Sequence, residues 1–262
     1  MALSIRLAAG VRIIFQATRR AQPRREGSTR RRVRRLVVAD EFWEMGFTVA
    51  IVSFSKKFIF VKTAKTAGTS IEVFLSQYCS GADIVTPIFP ANPSHVPCNF
   101  TSQGATTFYN HMPAVEIRQA LEPEQFSTFF KFCFERHPID KCLSHFAMLL
   151  NSPGHQAEGN PKTWEDYLER GVFPNNSPIY TDEGGNLLVD RIYKYEELAQ
   201  SIKDVCAEIG VSGAELTVFE KAGFRHRVPE FATVMRNAAQ KDRIMKAFES
   251  TLRFVDYVAA AK

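Results

Sequence analysis

A lysine and several hydroxyl side chains cluster between a predicted strand, Phe58–Lys62, and a predicted helix, Thr69–Cys79. The residues are Lys65, Thr66, Ala67, Gly68, Thr69 and Ser70. The first turn of a helix has unpaired backbone N–H groups and a partial positive charge, so it attracts anions. The hydroxyls add donors, the lysine adds a full charge, and Gly68 permits close approach to the backbone. The pattern therefore predicts a phosphate-binding loop.

A helix cap and a Walker A loop fit this segment less well. Thr69 or Ser70 could simply cap a helix, but a cap does not account for a lysine inside a tight loop. A Walker A loop would place the lysine directly after a glycine and before a serine or threonine. Here Lys65 precedes Gly68. This order disfavours a P-loop nucleotide or small-molecule kinase, which stays as an alternative.

Arg136 and Ser144 form a second polar group at another strand-to-helix turn. Arg136 follows a predicted buried strand, Phe129–Phe134, and Pro138 begins a helix that carries Ser144 about two turns later. Open α/β sheets bind ligands at the carboxyl ends of their strands. Arginine and serine there can hold a phosphate, the arginine through two parallel hydrogen bonds. The alternative is an ion pair between Arg136 and a local carboxylate such as Asp140.

Together the two groups resemble the PAPS-dependent sulfotransferases, most closely the carbohydrate-type, membrane-type-like branch. That family's 5′-phosphosulfate loop often reads P-K-T-G-G-T-S, and residues 64–70 here read A-K-T-A-G-T-S. Its 3′-phosphate motif is similar to R-x-P-x-x-R-x-x-S-x-[YF]. The matching residues are Arg136, Pro138, Ser144 and Phe146, with Lys141 in the second-arginine place. Supporting similarities at Asn110–Arg118, Asp190–Leu198 and Ala247–Tyr257 extend the resemblance over roughly 58–257, in order.

The resemblance implies transfer of a sulfuryl group from PAPS, with PAP as product, to a small-molecule or glycan hydroxyl. The 5′-phosphosulfate would lie on Lys65–Ser70 and the 3′-phosphate on Arg136 and Ser144. Lys65 would also stabilise charge on the leaving phosphate oxygen, whereas Lys62, on the strand, should matter far less. A late loop with Arg225 and Arg227 would close over the 3′-phosphate, although a solvated basic turn is equally consistent with the sequence. No metal is expected, because cationic side chains can perform that work.

Sulfuryl transfer to a hydroxyl needs a base, and histidine suits this role near neutral pH. His111 precedes Pro113 and a short helix, where the resemblance implies the catalytic histidine. Without the resemblance, a capping or solvated histidine would be the simpler interpretation. The rival bases are His95, His145 and Glu72.

Strands that alternate with helices predict an α/β fold with a parallel sheet flanked by helices on both faces. The resemblance narrows this to a P-loop-like nucleotide-binding sulfotransferase fold. We predict strands at 48–54, 58–62, 129–134 and 187–193. We predict helices at 69–79, 114–121, from 138 onward, 164–170, 196–209 and 241–257. The segments 84–109 and 151–180 show no pattern that identifies the acceptor.

The basic charge is confined to one end of the chain. The net charge is +5, but residues 1–35 hold eleven arginines and one acid, so the other 227 residues carry a net charge of −5. We therefore divide the chain into a disordered basic extension, 1–45, and a sulfotransferase domain, 46–262. An organelle transit peptide and an upstream start codon are alternatives for the extension.

The charge distribution and the cysteines also bear on partners and compartment. A nucleic-acid-binding domain carries its basic footprint on the folded body, so no nucleic-acid partner is expected; a non-catalytic nucleotide- or nucleic-acid-binding protein stays as an alternative. The basic extension should attract anionic surfaces.

No apolar run is long enough for a membrane span. Five scattered cysteines without a C-x-x-C pair favour a reducing compartment, and we expect a cytoplasmic protein unless the N-terminal segment targets it elsewhere.

Overall fold

A mixed five-stranded sheet forms the centre of the α/β fold. The computed structural model describes residues 50–88, 91–102, 105–213, 216 and 225–257, so the extension 1–45 lies outside the described residues. In chain order the strands are β1 (Ile51–Ser53), β2 (Phe58–Phe60), β3 (Ile84–Val85), β4 (Thr101–Ser102), β5 (Ala105–Thr106), β6 (Phe130–Glu135) and β7 (Arg191–Lys194). The sheet order is β3-β1-β2-β6-β7, while β4 and β5 form a separate two-stranded ribbon.

The alternation of strands and helices predicted a parallel sheet. The observed sheet is instead mixed. β2, β6 and β7 are parallel, but β1 pairs antiparallel with both β2 and β3. The reason is the connection between β1 and β2, which is the short segment 54–57. A parallel connection needs a crossover of a dozen or more residues, so a link this short can only form a hairpin.

Helices cover the sheet and continue beyond it. They are α1 (Gly68–Ser76), α2 (Ala114–Ala120), α3 (Pro123–Thr128), α4 (Pro138–Asn151), α5 (Trp164–Arg170), α6 (Ser177–Tyr180), α7 (Leu198–Glu208), α8 (Phe231–Arg236), α9 (Ala238–Ala247) and α10 (Glu249–Leu252). The predictions for α1, α2, α4, α5 and α7 are confirmed within a few residues. The predicted closing helix is instead divided into α9 and α10 at Phe248, whose side chain is fully buried.

Alternating side chains place apolar residues on both faces of the sheet, as period-2 strands require. Phe58, Phe60, Phe132 and Phe134 pack on one face with residues of α1 and α7. Ile59, Val61 and Cys133 pack on the other face with residues of α2, α3 and α6. A third cluster joins α4 to α5, α8 and α9. The prediction of a sheet covered on both faces is therefore confirmed, and the carboxyl ends of β2, β6 and β7 lie between two layers of helices.

Among the described residues, none of the helices is both long and apolar enough to cross a bilayer. All five cysteines are described, and each is a free thiol.

Candidate functional site

Residues 64–70, which we call the Lys65 loop, comprise the turn after β2 and the first turn of α1, and they lie beside the turn that carries Arg136. β2 and β6 are parallel neighbours, and the Val61 amide extends their pairing by donating to the Phe132 carbonyl at 2.9 Å. Beyond the strands, Arg136 Nη1 donates to the Lys65 carbonyl oxygen at 3.2 Å. The structure therefore brings together the two groups that the sequence analysis singled out, at the carboxyl edge of two parallel strands.

The Lys65 loop has an unusual backbone. Lys65 has a φ of 64° and Ala67 a φ of 61°, both in the left-handed region, which costs roughly 1–2 kcal/mol for a residue with a Cβ. Ala67 is the N-cap of α1, and an alanine side chain cannot accept a hydrogen bond from the first-turn amides. The alternative in which Thr69 or Ser70 caps the helix is therefore wrong, because both residues lie inside its first turn.

Strained backbone coincides with the residues predicted from the sequence. Six non-glycine residues in the described part of the chain have positive φ, and four of them are predicted site residues: Lys65, Ala67, His111 and Arg227. Such conformations persist only where surrounding contacts hold them, and they cluster at active sites and ligand-binding segments. The strain at Lys65, Ala67 and His111 therefore supports a functional role for these residues independently of any motif.

Asn176 fixes the Lys65 loop, and the sequence analysis missed it. Its Oδ1 accepts from the Ala64 amide at 2.9 Å, and its Nδ2 donates to the Ala64 carbonyl at 3.1 Å. Asn176 is buried and lies immediately before α6. An asparagine before a proline-containing turn is common, so the local sequence carries no signal for this long-range contact.

Lys62 packs against the start of α1 and does not end a strand, since β2 stops at Phe60. A Cβ at position 68 would lie 2.7 Å from Lys62 Cγ, so Gly68 is needed to admit this side chain. The Lys62 ammonium lies 3.1 Å from Glu72 Oε2 and 3.4 Å from Thr69 Oγ1. Both Lys62 and Glu72 are buried. Lys62 is thus a buried cation that supports the Lys65 loop and α1.

His111 reaches the same edge of the sheet. Its Nδ1 lies 3.0 Å from the Lys62 carbonyl oxygen, and its side chain is half-buried. A carbonyl oxygen only accepts hydrogen bonds, so Nδ1 carries a proton, and in the neutral imidazole Nε2 then carries the lone pair. This tautomer makes Nε2 the basic atom of His111.

The three rival bases are more deeply buried than His111. His95 Nε2 lies 2.7 Å from the Thr86 carbonyl oxygen, and burial lowers the pKa of His95. Burial lowers the pKa of His145 to about 3, and the positive charge of Lys65 adds to this lowering. Glu72 is fully buried in its ion pair with Lys62. Of the four candidates, His111 is the most accessible to an acceptor.

Asp140 lies between two arginines. Arg136 Nε and Nη2 both lie 2.5 Å from Asp140 Oδ2, which is the ion pair that the sequence left as an alternative. The Arg136 guanidinium also stacks on Tyr195, 3.9 Å from the ring centroid. Arg225 Nη2 lies 2.5 Å from Asp140 Oδ1. The structure therefore brings Arg225 to Arg136 through a shared carboxylate.

The other residues of the second motif differ in their surroundings. Lys141, in the second-arginine place, is fully buried and ion-paired with Glu135, so its charge is neutralised inside the protein and is not exposed to a ligand. Ser144 is half-buried on α4, and Arg227 is exposed. The roles assigned to Ser144 and Arg227 stay predictions.

Comparisons with known proteins assign no family. No protein-family model matches the chain, and no curated protein matches it. Within the described ranges, His, Cys, Asp and Glu side chains form no group of three that could hold a metal ion.

Proposed function

We propose that this protein is a sulfotransferase that moves a sulfuryl group from PAPS to an acceptor hydroxyl, with carbohydrates among the candidate acceptors. The hydrogen bond from Arg136 to the Lys65 carbonyl carries the proposal. It joins the two segments that resemble the family's two donor-binding motifs, at the sheet edge where α/β proteins bind ligands. In this proposal the α/β domain is a P-loop-like sulfotransferase fold.

The donor would bind through charges that the loop and the turn already gather. First-turn amides of α1, the Lys65 ammonium and the Thr69 hydroxyl would hold the 5′-phosphosulfate. The Thr66 side chain is buried and its hydroxyl bonds to Thr63, so Thr66 would support the loop from the inside. Arg136, Arg225 and Ser144 would hold the 3′-phosphate, the arginines through charge-assisted hydrogen bonds. Asn176 and Lys62 would keep the loop in its strained, binding-competent shape, so that little reorganisation is needed when the donor binds.

The reaction moves one sulfuryl group and one proton. The acceptor oxygen attacks sulfur, a new S–O bond forms, and the bond from sulfur to the phosphate oxygen breaks with its electron pair left on that oxygen. His111 Nε2 takes the acceptor proton, because Nε2 carries the lone pair while Nδ1 donates to the Lys62 carbonyl. The Lys65 ammonium stabilises the charge that grows on the leaving oxygen. The products are a sulfated acceptor and PAP.

The proposal is tested with PAPS labelled at sulfur and a panel of sugars and other hydroxyl compounds. Wild type should transfer label, and His111→Ala should lower kcat by about 10²–10⁴-fold while the Kd for PAP stays within about two-fold. Lys203→Ala, an exposed change on α7, is the control. Undiminished turnover of His111→Ala would remove His111 as the base. Transfer of phosphate from ATP, abolished by EDTA and restored by Mg²⁺, would favour a kinase and contradict the proposal.

A further inference from the structure

Two arginines from distant parts of the chain meet on one carboxylate. Arg136 contacts Oδ2 of Asp140 and Arg225 contacts Oδ1, each at 2.5 Å. Arg225 also donates to the Asp140 carbonyl oxygen at 3.2 Å. The side chains of Asp140 and Arg225 are 18% and 43% exposed, whereas that of Arg136 is 8% exposed, so solutes can approach the two contacts from the side of Arg225.

The position of Arg136 is fixed by groups other than Asp140. Its guanidinium stacks on the Tyr195 ring and its Nη1 donates to the Lys65 carbonyl. Removal of the Asp140 charge would therefore leave Arg136 close to its present place. Two guanidinium groups directed at the two oxygens of one anion form the arrangement that binds a phosphate. The Asp140 carboxylate thus occupies the position of an anionic ligand group.

We propose that Asp140 is an internal competitor that sets the affinity of the arginine pair for the phosphate of its ligand. The phosphate must displace the carboxylate from both arginines, so the free energy of breaking these two ion pairs subtracts from the free energy of binding. The inference rests on the proposed function for the identity of the ligand, a nucleoside bisphosphate. For the anion site itself it rests only on the contacts of Asp140.

Asp140 could instead orient the arginines for binding, and the two roles predict opposite signs. If Asp140 competes, Asp140→Asn tightens anion binding; if it orients, the same change weakens binding. The unfolding temperature of the Asp140 variants provides a second way to distinguish the two roles. Asp140 lies in the first turn of α4, where a negative charge stabilises a helix. A competitor should therefore give a variant that binds more tightly and unfolds at the same or a lower temperature, a combination that a purely structural role for Asp140 does not produce.

The test measures Kd by calorimetry at low salt for PAP and for inorganic pyrophosphate, with the full chain as wild type, Asp140→Asn and Asp140→Ala. Asp242→Asn is the matched control, because it removes the same charge from an exposed position on α9. We expect both Asp140 variants to bind PAP about five- to thirty-fold more tightly than wild type. The control should stay within about two-fold.

Weaker or unchanged binding in both Asp140 variants would overturn the inference. The pyrophosphate arm separates this outcome from failure of the proposed function. If no protein binds PAP but the Asp140 variants bind pyrophosphate more tightly, the donor assignment is wrong and the inference about Asp140 stands. Failure of every protein to bind either anion would overturn both.

Discussion

Replacement of Lys62 and Lys65 should have different consequences, although the two lysines are three residues apart. The Lys62 side chain is 6% exposed, and its ammonium lies 3.1 Å from Glu72, which is fully buried. Removal of one partner of a buried ion pair typically costs ~3–5 kcal/mol. Lys62→Ala should therefore lower the free energy of unfolding by ~3–5 kcal/mol.

Lys65→Ala should instead act on turnover. Lys65 is half-buried, and alanine meets the same left-handed backbone cost, so the free energy of unfolding should change by less than ~1 kcal/mol. Because the charge on the leaving oxygen grows as the S–O bond breaks, kcat should fall strongly and donor affinity by a smaller factor. Lys65→Arg should rescue kcat only in part, since a guanidinium is wider than an ammonium.

Urea denaturation and steady-state kinetics measure the two effects separately, with Lys203→Ala as the exposed control. The double variant Lys62→Met/Glu72→Gln removes both charges, so it should recover much of the stability that Lys62→Ala loses. Unfolding of Lys62→Ala at the wild-type urea concentration would show that the buried ion pair of Lys62 does not stabilise the fold. Equal losses of kcat in folded Lys62→Ala and Lys65→Ala would contradict the different roles assigned to the two lysines.

Three further sets of variants test the contacts around the loop. Asn176→Ala removes two buried hydrogen bonds to Ala64 and should lower the free energy of unfolding by ~2–3 kcal/mol, measured by urea denaturation. An unchanged urea midpoint would contradict the role of Asn176 in fixing the Lys65 loop. Gly68→Ala should cost ~1–3 kcal/mol, because its Cβ meets the Lys62 stem, whereas Ala67→Gly should preserve kcat and stabilise by up to ~1 kcal/mol. Wild type should lose about 2 kcal/mol from His145 alone between pH 7 and 5. The folded-state pKa of about 3 lies below the unfolded value, so protonation favours unfolding as the pH falls. His145→Gln should flatten this dependence, and an equal slope in both proteins would contradict it.

Local patterns predicted the elements that position the site. The apolar period of 138–150 and the proline at its start located α4, and the polar loop after Phe58–Lys62 located α1. The antiparallel pairing of β1 with β2 follows from their link, 54–57, which is too short for a crossover. The length of this link can be read from the sequence, but the prediction of a parallel sheet used only the alternation of strands and helices. Periodicity therefore identifies helices and strands, but short links decide their direction.

The contacts that support the site could not be predicted in the same way. Asn176 and Ala64 are 112 residues apart, and Arg225 and Asp140 are 85 residues apart, so neither pair leaves a local period or spacing. The buried pair of Lys62 and Glu72 contradicts the usual exposure of charged residues. Such contacts depend on how the sheet and the helices pack against each other. The local pattern of a single sequence does not show which distant residues this packing brings together.

The central claim is that the site recognises a nucleotide with both 5′- and 3′-phosphates. The most direct measurement compares the Kd of the wild-type chain for adenosine 3′,5′-bisphosphate and for AMP by calorimetry in the same buffer. Removal of a charged, desolvated group from a binding site typically costs ~2–5 kcal/mol, so the bisphosphate should bind at least about 30-fold more tightly than AMP. Equal affinities for the two nucleotides would contradict the account.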